Sequence, residues 1–432
     1  METDSHSGPD FWVRFLEELG RKTKSLSTKP KKIAIALNNA LSRPKIFLAF
    51  GIHGNILYPD VGYCEFDDPE KAWEHIQRWA NFQGFPVGFE VGVVSLEEMN
   101  HRYPVWETLR KAQAPIINPL YGQPYLRHIG EAATLRQFEV GLQTLQANGL
   151  DCPAYASSEH ALHPQLPQLL KIFGIPFAHV TCRLAGGAPT AYLPKIEWQG
   201  LDGSVVPAII SQSGIPNGHI WHGKFFEELP GLIFAAVARP DLPVAVYTNI
   251  EDFANPMPGH EEIAAHLTEF EKANIYFCGF DELVKNEIPI SRKVCWGLED
   301  FPIRFMRSLA ITPVHEAEAL LTQVEAADIL MQSVGGLSHQ PEIEGAWRSL
   351  LAAQNHDAYI VPFTTPGMYS QLQGIEETKK WESSETMEQR SANIANEVVN
   401  TAFNIIDIKN GSPGMVFNWL WEIGRASCRE RV

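Results

Sequence analysis

The chain has 432 residues, of which 45% are apolar and 20% are charged, so it can bury a large core and form roughly three domains, or one large and one smaller domain. This size excludes a peptide hormone, an isolated DNA-binding module and a small disulfide scaffold. The formal net charge of -16 opposes binding to polyphosphates, and we therefore expect no nucleic-acid partner.

The sequence has no membrane-directing signal. The N-terminal METDSHSGPDFW lacks the apolar segment of a signal peptide, and no stretch approaches the roughly 18 apolar residues of a membrane span. We therefore expect a cytoplasmic protein without a membrane partner. The 6 cysteines are scattered and form no CxxC pair, which argues against a disulfide framework and a four-thiolate zinc site.

Between about residues 33 and 300, short apolar runs alternate with amphipathic stretches, a pattern typical of βα units over a parallel sheet. Helices are predicted for ATLRQFEVGLQTLQA and PQLPQLLKIF. The candidate strands are Ile33–Leu37, Lys45–Phe50, Pro86–Val91, Ala114–Ile117, Pro153–Ala156, Pro176–Thr181 and Leu242–Thr248.

After about residue 305 three long stretches have helical periodicity, which predicts an antiparallel three-helix bundle. The following GSPGMVFNWLWE has a β-rich composition, and the final IGRASCRERV fits neither periodicity, so we interpret it as an artefactual tail. The predicted organisation is a lead-in over 1–30, an α/β domain over 31–305, a helical bundle over 306–410, the start of a truncated β-domain over 411–422 and the tail over 423–432.

Polar side chains follow three of the predicted strands. Working residues in parallel α/β folds gather beyond the carboxyl ends of the strands, so these side chains are expected at one rim of the sheet. They are His53, Asn55 and Tyr58 after Lys45–Phe50, Ser158 and Glu159 after Pro153–Ala156, and Glu251 and Asp252 after Leu242–Thr248. The predicted bundle adds the adjacent pair His356 and Asp357 within an apolar helix.

Each candidate also has an ordinary structural interpretation. His53 could be a hydrogen-bonded loop histidine, Glu159 a charge near a helix N-terminus, Asp252 a solvated turn residue and His356 a donor to a buried carbonyl. Two histidines and at least two carboxylates at one rim instead suit a divalent metal or paired acid/base chemistry.

Several segments together resemble glycoside hydrolase family 38, the retaining zinc-dependent α-mannosidases. These segments are HPQLPQLLKIFGIPFAHVT, IEWQGLDGSVVPAII, YGQPYLRHIGEAATLRQFEVGLQTLQ, AWRSLLAAQNHDAYIVP and VFNWLWE, and they follow one another in the family's order. The resemblance covers roughly residues 45 to 422. It implies a distorted, mostly parallel (β/α) barrel, then a three-helix bundle, then a β-rich region that is missing here.

The resemblance also implies a site. The family's His-x-His-x-Asp stretch matches Gly51 to Asn55, which keeps one ligand as His53 and replaces the ligand aspartate by Asn55. The family's nucleophile, also a metal ligand, falls on Ser158 beside Glu159. The implied set is completed by Asp252 as acid/base, His356 as the last metal ligand, and Asp357 and Tyr58 as substrate-binding residues.

The departures from the family pattern limit the implied function. Losing both ligand aspartates removes two negative charges around the cation, and Glu159 could restore one of them. We therefore assign Glu159 as nucleophile and Asp252 as acid/base, with zinc or another divalent cation on His53, Asn55, Glu159 and His356.

The expected function is a divergent, metal-assisted retaining α-glycosidase acting on a carbohydrate. The alternatives are a family member that has lost hydrolysis and binds carbohydrate, and a different sugar chemistry on the same scaffold. The sequence leaves open whether the chain forms a homo-oligomer.

Overall fold

A computed structural model describes residues 45–54, 69–157, 162–180, 195–210, 244–252, 258–272, 274–285, 288, 290–297, 310–333, 335–356 and 387–406. The predicted strand at 33–37, the lead-in, the segment 411–422 and the tail lie outside these residues. The chain divides into two compact units, one of Met1–Arg127 with Phe138–Arg304 and the other of His128–Gln137 with Phe305–Val432.

The described helices and strands alternate through the first unit, and helices alone follow in the second. In chain order they are β1 (Lys45–Gly54), α1 (Pro69–Ala80), β2 (Val87–Val91), α2 (Val93–Asn100), α3 (Val105–Ala112), α4 (Glu131–Ala147), β3 (Tyr155–Ala156), α5 (Leu166–Ile172), β4 (Ala178–Val180), β5 (Ile196–Gln199), β6 (Val205–Ile210), β7 (Val244–Asp252), α6 (Pro258–Ala265), α7 (Leu267–Lys272), β8 (Ile275–Cys278), α8 (Glu282–Lys285), β9 (Lys293–Cys295), α9 (Ile311–Ser333), α10 (Gln340–Ala353) and α11 (Met387–Ile406). A short 3-10 helix, Leu126–His128, precedes α4.

Strand β1 is the centre of the first sheet. It pairs in parallel with β7 over Lys45–His53, with β8 over Ile46–Ala49 and with β2 over Phe50–Gly54. Every residue of β1 except Lys45 is buried, which matches the continuous apolar run of a strand inside a parallel sheet. The strand was predicted to end at Phe50, but it continues to Gly54 because β2 and β7 both go on pairing with it.

The second sheet has the order β3-β4-β6-β5-β9. Its pairs are parallel except for β5 and β6, which form an antiparallel hairpin. The predicted strands at Pro153–Ala156 and Pro176–Thr181 are observed as the shorter β3 and β4. The predicted strand at Ala114–Ile117 is reduced to a single bridge between Ile116 and Phe89 of β2.

Residues 116 and 117 connect the backbones of the two sheets. Ile116 bridges to β2, and the carbonyl of Ile117 accepts a hydrogen bond of 2.5 Å from the amide of Ala156 in β3. Side chains from both sheets then share one apolar core, whose members include Phe47 and Ala49 of β1, Phe177, Ile209 of β6, and Val246 of β7. The chain is therefore a mixed α/β protein with parallel sheets, while closure into a barrel stays a prediction.

The opposite face of β1 packs against helices. The ring of Phe50 contacts Trp79 of α1 at 5.3 Å between centroids, Phe85 at 5.8 Å and His260 of α6 at 5.1 Å. Buried apolar side chains at Trp73, Ile76 and Trp79 recur at helical spacing on α1, which is why this helix lies on the sheet.

In the second unit α9, α10 and α11 pack against one another. Helices were predicted in all three places, and their antiparallel order stays a prediction. A partly buried polar cluster joins α4 to the other helices: the guanidinium of Arg136 pairs with Glu325, which also accepts a hydrogen bond of 3.1 Å from the indole of Trp347. None of the helices in the described part of the chain is both long enough and apolar enough to cross a bilayer.

Candidate functional site

His53 lies at the carboxyl end of β1, where only 4% of its surface is exposed. Its register partner on one side is Glu90 of β2, and on the other side it is Asp252 of β7. Three neighbouring parallel strands therefore carry a carboxylic residue, an imidazole and a second carboxylic residue at one level of the sheet. This level is the edge at which α/β proteins place their working residues.

His53 and Glu90 are in direct contact. The distance from His53 Nδ1 to Glu90 Oε2 is 3.2 Å, and the Glu90 side chain is only 1% exposed. A buried carboxylate needs such a partner, because its desolvation would otherwise strongly disfavour the folded state. An imidazole whose Nδ1 is engaged by a carboxylate keeps Nε2 for another ligand.

Two glycines lie directly below this pair. Gly51 and Gly88 are register partners two residues before His53 and Glu90, and the side chains of Ile117 and Phe280 occupy the space beside them. A Cβ added at Gly88 would stand 2.7 Å from Cδ1 of Ile117 and 3.1 Å from Cδ2 of Phe280. The floor beneath the polar pair is thus apolar and closely packed.

Tyr155 of β3 lies within the electrostatic field of Glu90. Burial raises the pKa of the Tyr155 phenol well above its ordinary value, and the charge of Glu90 raises this pKa further, while a hydrogen bond with Ser157 opposes the rise. Ser157 is itself only 1% exposed. The buried Tyr155 phenol thus interacts electrostatically with Glu90 and by a hydrogen bond with Ser157.

Asp252 is the last residue of β7. The sequence interpretation placed Glu251 and Asp252 in a turn after the strand, which is wrong, because β7 pairs with β1 through Asp252. The predicted site residues Asn55, Tyr58, Glu159 and Asp357 lie outside the described residues.

His356 lies in the second unit and is 2% exposed. Its predicted place inside a helix is wrong, because α10 ends at Ala353. The last carbonyls of this helix accept side-chain hydrogen bonds, from Ser391 to Ala353 and from Gln137 Nε2 to Leu351 at 2.9 Å. These bonds hold the chain in a buried turn at the end of the helix.

Sequence reasoning missed Glu90. A glutamate within the otherwise apolar strand VGFEV was the available signal, since charged side chains are rarely fully buried without a partner. It also missed the buried pair of His179 in β4 and Thr248 in β7, whose side chains hydrogen-bond to each other. Desolvation lowers the pKa of His179 to about 3, so this imidazole is neutral in the folded protein.

The described residues fit one part of a cation site. His53 has one feature common among metal-binding histidines, because its Nδ1 is held by a carboxylate. No group of three or more His, Cys, Asp and Glu side chains suited to a metal occurs among the residues that the structure describes. The predicted ligands Asn55 and Glu159 are outside that part of the chain.

No protein-family model matches the sequence, and no curated protein is significantly similar to it. Solved structures are similar in fold. An α-mannosidase from Enterococcus faecalis V583 superposes with a TM-score of 0.56 at 12% identity, over 84% of this chain and 43% of the mannosidase. A glycosyl hydrolase family 38 protein from Enterococcus faecalis superposes with a TM-score of 0.50 at 14% identity, over 84% of this chain and 40% of the other.

This chain thus spans less than half the length of either structure. At these identities the likeness concerns the fold. The described part of the chain therefore has a glycosidase-like fold, with a buried His–Glu pair at the carboxyl edge of its first parallel sheet.

Proposed function

We propose that the protein is a metal-assisted retaining α-glycosidase of the α-mannosidase type. The observation that carries the proposal is the His53–Glu90 contact at the carboxyl edge of the parallel sheet, level in register with Asp252. The similarity in fold to an α-mannosidase supports the choice of a sugar as substrate.

Two carboxyl groups perform the reaction. The carboxylate of Glu159 attacks the anomeric carbon while the bond to the departing oxygen breaks, and Asp252 as the acid gives its proton to that oxygen. The Asp252 carboxylate then takes a proton from water, and the resulting hydroxide attacks the anomeric carbon and releases Glu159. Retention requires the two carboxyl groups to stand about 5 to 5.5 Å apart.

A divalent cation, with zinc as the first candidate, would be held by His53, Asn55, Glu159 and His356. When bound, it polarises sugar hydroxyls and favours distortion of the ring. Tyr58 and Asp357 would contact the sugar beside it. Glu159 follows two positions after the buried Ser157, which hydrogen-bonds the Tyr155 side chain at the end of β3.

The direct test is hydrolysis of aryl α-mannosides by the full-length protein. Asp252→Asn should lower kcat/KM, which reports the first step, by about 10²- to 10⁴-fold for phenols that are poor leaving groups and much less for dinitrophenol, which needs no protonation. Azide should restore turnover in Glu159→Ala. Asp151→Asn is the matched control, since Asp151 is an exposed loop carboxylate ahead of β3. Equal effects of D252N on all leaving groups would contradict the acid/base role.

The metal is tested separately. Elemental analysis of the full-length protein should give one divalent ion per chain, and His53→Ala and His356→Ala should each lose it. Retention of the ion in both variants would remove these histidines from the site.

A carbohydrate-binding protein without hydrolysis is the second candidate. The amide at Asn55 and the hydroxyl at Ser158, where the resembling family has aspartates, favour it. Calorimetric binding of a mannoside with no product after prolonged incubation would select this candidate.

A further inference from the structure

We propose that Glu90 is a positioning residue that fixes the ring and the tautomer of His53, so that the proton resides on Nδ1 and the lone pair on Nε2 faces the ligand. The carrying observation is the buried contact of 3.2 Å between His53 Nδ1 and Glu90 Oε2. The proposal rests on the proposed function only for the identity of the ligand on Nε2.

The geometry favours this tautomer. A neutral imidazole has one donor nitrogen and one acceptor nitrogen, whereas an ionised carboxylate only accepts hydrogen bonds. The nitrogen that contacts Glu90 must therefore be the donor, which leaves Nε2 as the acceptor. This nitrogen can bind a cation or accept a hydrogen bond from a sugar hydroxyl.

Packing restricts both side chains. His53 and Glu90 are register partners on adjacent parallel strands, with exposures of 4% and 1%. Ile117 and Phe280 fill the space next to Gly51 and Gly88, which lie two residues earlier on the same two strands. The imidazole therefore cannot turn towards these glycines without displacing apolar side chains. The ring is therefore held before any ligand arrives, as binding sites require.

A second buried histidine shows the contrast. His179 of β4 is also fully buried, but its Nε2 contacts the hydroxyl of Thr248. A hydroxyl can both donate and accept, so it does not impose a tautomer on the ring. Of these two partners, the carboxylate beside His53 imposes a tautomer and the hydroxyl beside His179 does not.

The test begins with nitrogen-15 NMR of histidine-labelled protein, in which the His53 signals are assigned by their loss in His53→Gln. We expect a protonated Nδ1 and an unprotonated Nε2 for His53. Glu90→Gln should keep this tautomer, because the amide oxygen still accepts from Nδ1, whereas Glu90→Met should lose it. A wild-type His53 with its proton on Nε2 would overturn the proposal, whether or not the variants fold.

The second readout is the Zn²⁺ affinity of the full-length protein, measured by calorimetry. We expect Glu90→Met to weaken binding by about 10- to 100-fold with unchanged stoichiometry, and Glu90→Gln to weaken it less. Thr248→Val is the matched control, since it removes the hydrogen bond of the other buried histidine and should leave Zn²⁺ affinity unchanged. Equal affinities of wild type and folded E90M would overturn the positioning role.

The outcomes separate this inference from the proposed function. If the wild type binds no Zn²⁺, the proposed cation fails, while the NMR tautomer still decides the role of Glu90. If E90M abolishes mannoside hydrolysis but leaves tautomer and Zn²⁺ affinity as in the wild type, Glu90 acts as a carboxylate in the reaction itself and the positioning role is overturned.

Discussion

Gly51 and Gly88 are register partners on adjacent parallel strands, and the missing side chains of both make room for Phe280 and Ile117. Phe280 and Ile117 in this space form the apolar layer beneath His53 and Glu90. Glycine within a strand often marks such a close approach, and here the approach comes from side chains of the core.

Gly88→Ala should destabilise the protein by about 1 to 3 kcal/mol, because the new methyl group overpacks the floor against Ile117. The control is Gly345→Ala in α10, where an added Cβ meets nothing within 4 Å. This control should be neutral or stabilising by up to about 1 kcal/mol, since alanine has the higher helix propensity. Urea unfolding measures both, and equal values would contradict the packing argument.

Acid should destabilise the first unit through His179. Its pKa falls from 6.5 to about 3 on folding because burial disfavours the charged imidazole. The unfolded chain therefore binds more protons between these values, and stability is full above pH 6.5 and declines as the pH falls towards 3.

The titration of His179 should lower the unfolding free energy of the wild type by about 2 kcal/mol between pH 7.5 and pH 5. In His179→Gln this part of the decrease should be absent. Urea titrations of both proteins at the two pH values provide the measurement. Between pH 7.5 and 8.5 the histidine does not change charge, so the two proteins should respond alike. An unchanged acid response in H179Q would refute the assignment.

Glu318 of α9 caps the N-terminus of α4. Its carboxylate accepts backbone hydrogen bonds of 2.8 Å from Gly130 and 3.0 Å from Ala133. Glu318→Ala should cost about 1 to 2 kcal/mol, because the amides at the helix start lose their acceptor. Glu316→Ala, at an exposed position of the same helix, should change the unfolding free energy by less than about 0.5 kcal/mol. Similar losses of unfolding free energy in the two variants would contradict the capping role of Glu318.

Much of the fold could be predicted from periodicity. The strands β1, β2, β4 and β7 and the helices α4 and α5 lie where apolar runs or helical spacing predicted them. The ends of the strands could not be predicted, because pairing with neighbours decides them. Glycines and polar residues after Phe50 indicate a loop in the sequence, yet two flanking strands keep Gly51 to His53 extended, and β2 still pairs with Gly54.

The positions of two candidate residues could be predicted from the sequence, while their roles stay predictions. His53 and Asp252 were singled out from their position after apolar runs, and the register brings their backbones side by side. Glu90 was not singled out, because a lone charge in an apolar run can as well lie at the margin of a sheet. Its role follows from its contact with His53, which is 37 positions away in the chain and adjacent only in the fold.

The ten-residue strand β1 is hydrogen-bonded along both edges, by β7 on one and by β8 and β2 on the other. Its amide hydrogens can exchange with deuterium only when the sheet itself opens, so we expect them among the slowest of the chain. A ligand that binds His53 therefore contacts a strand whose backbone is already ordered, so binding does not have to order β1.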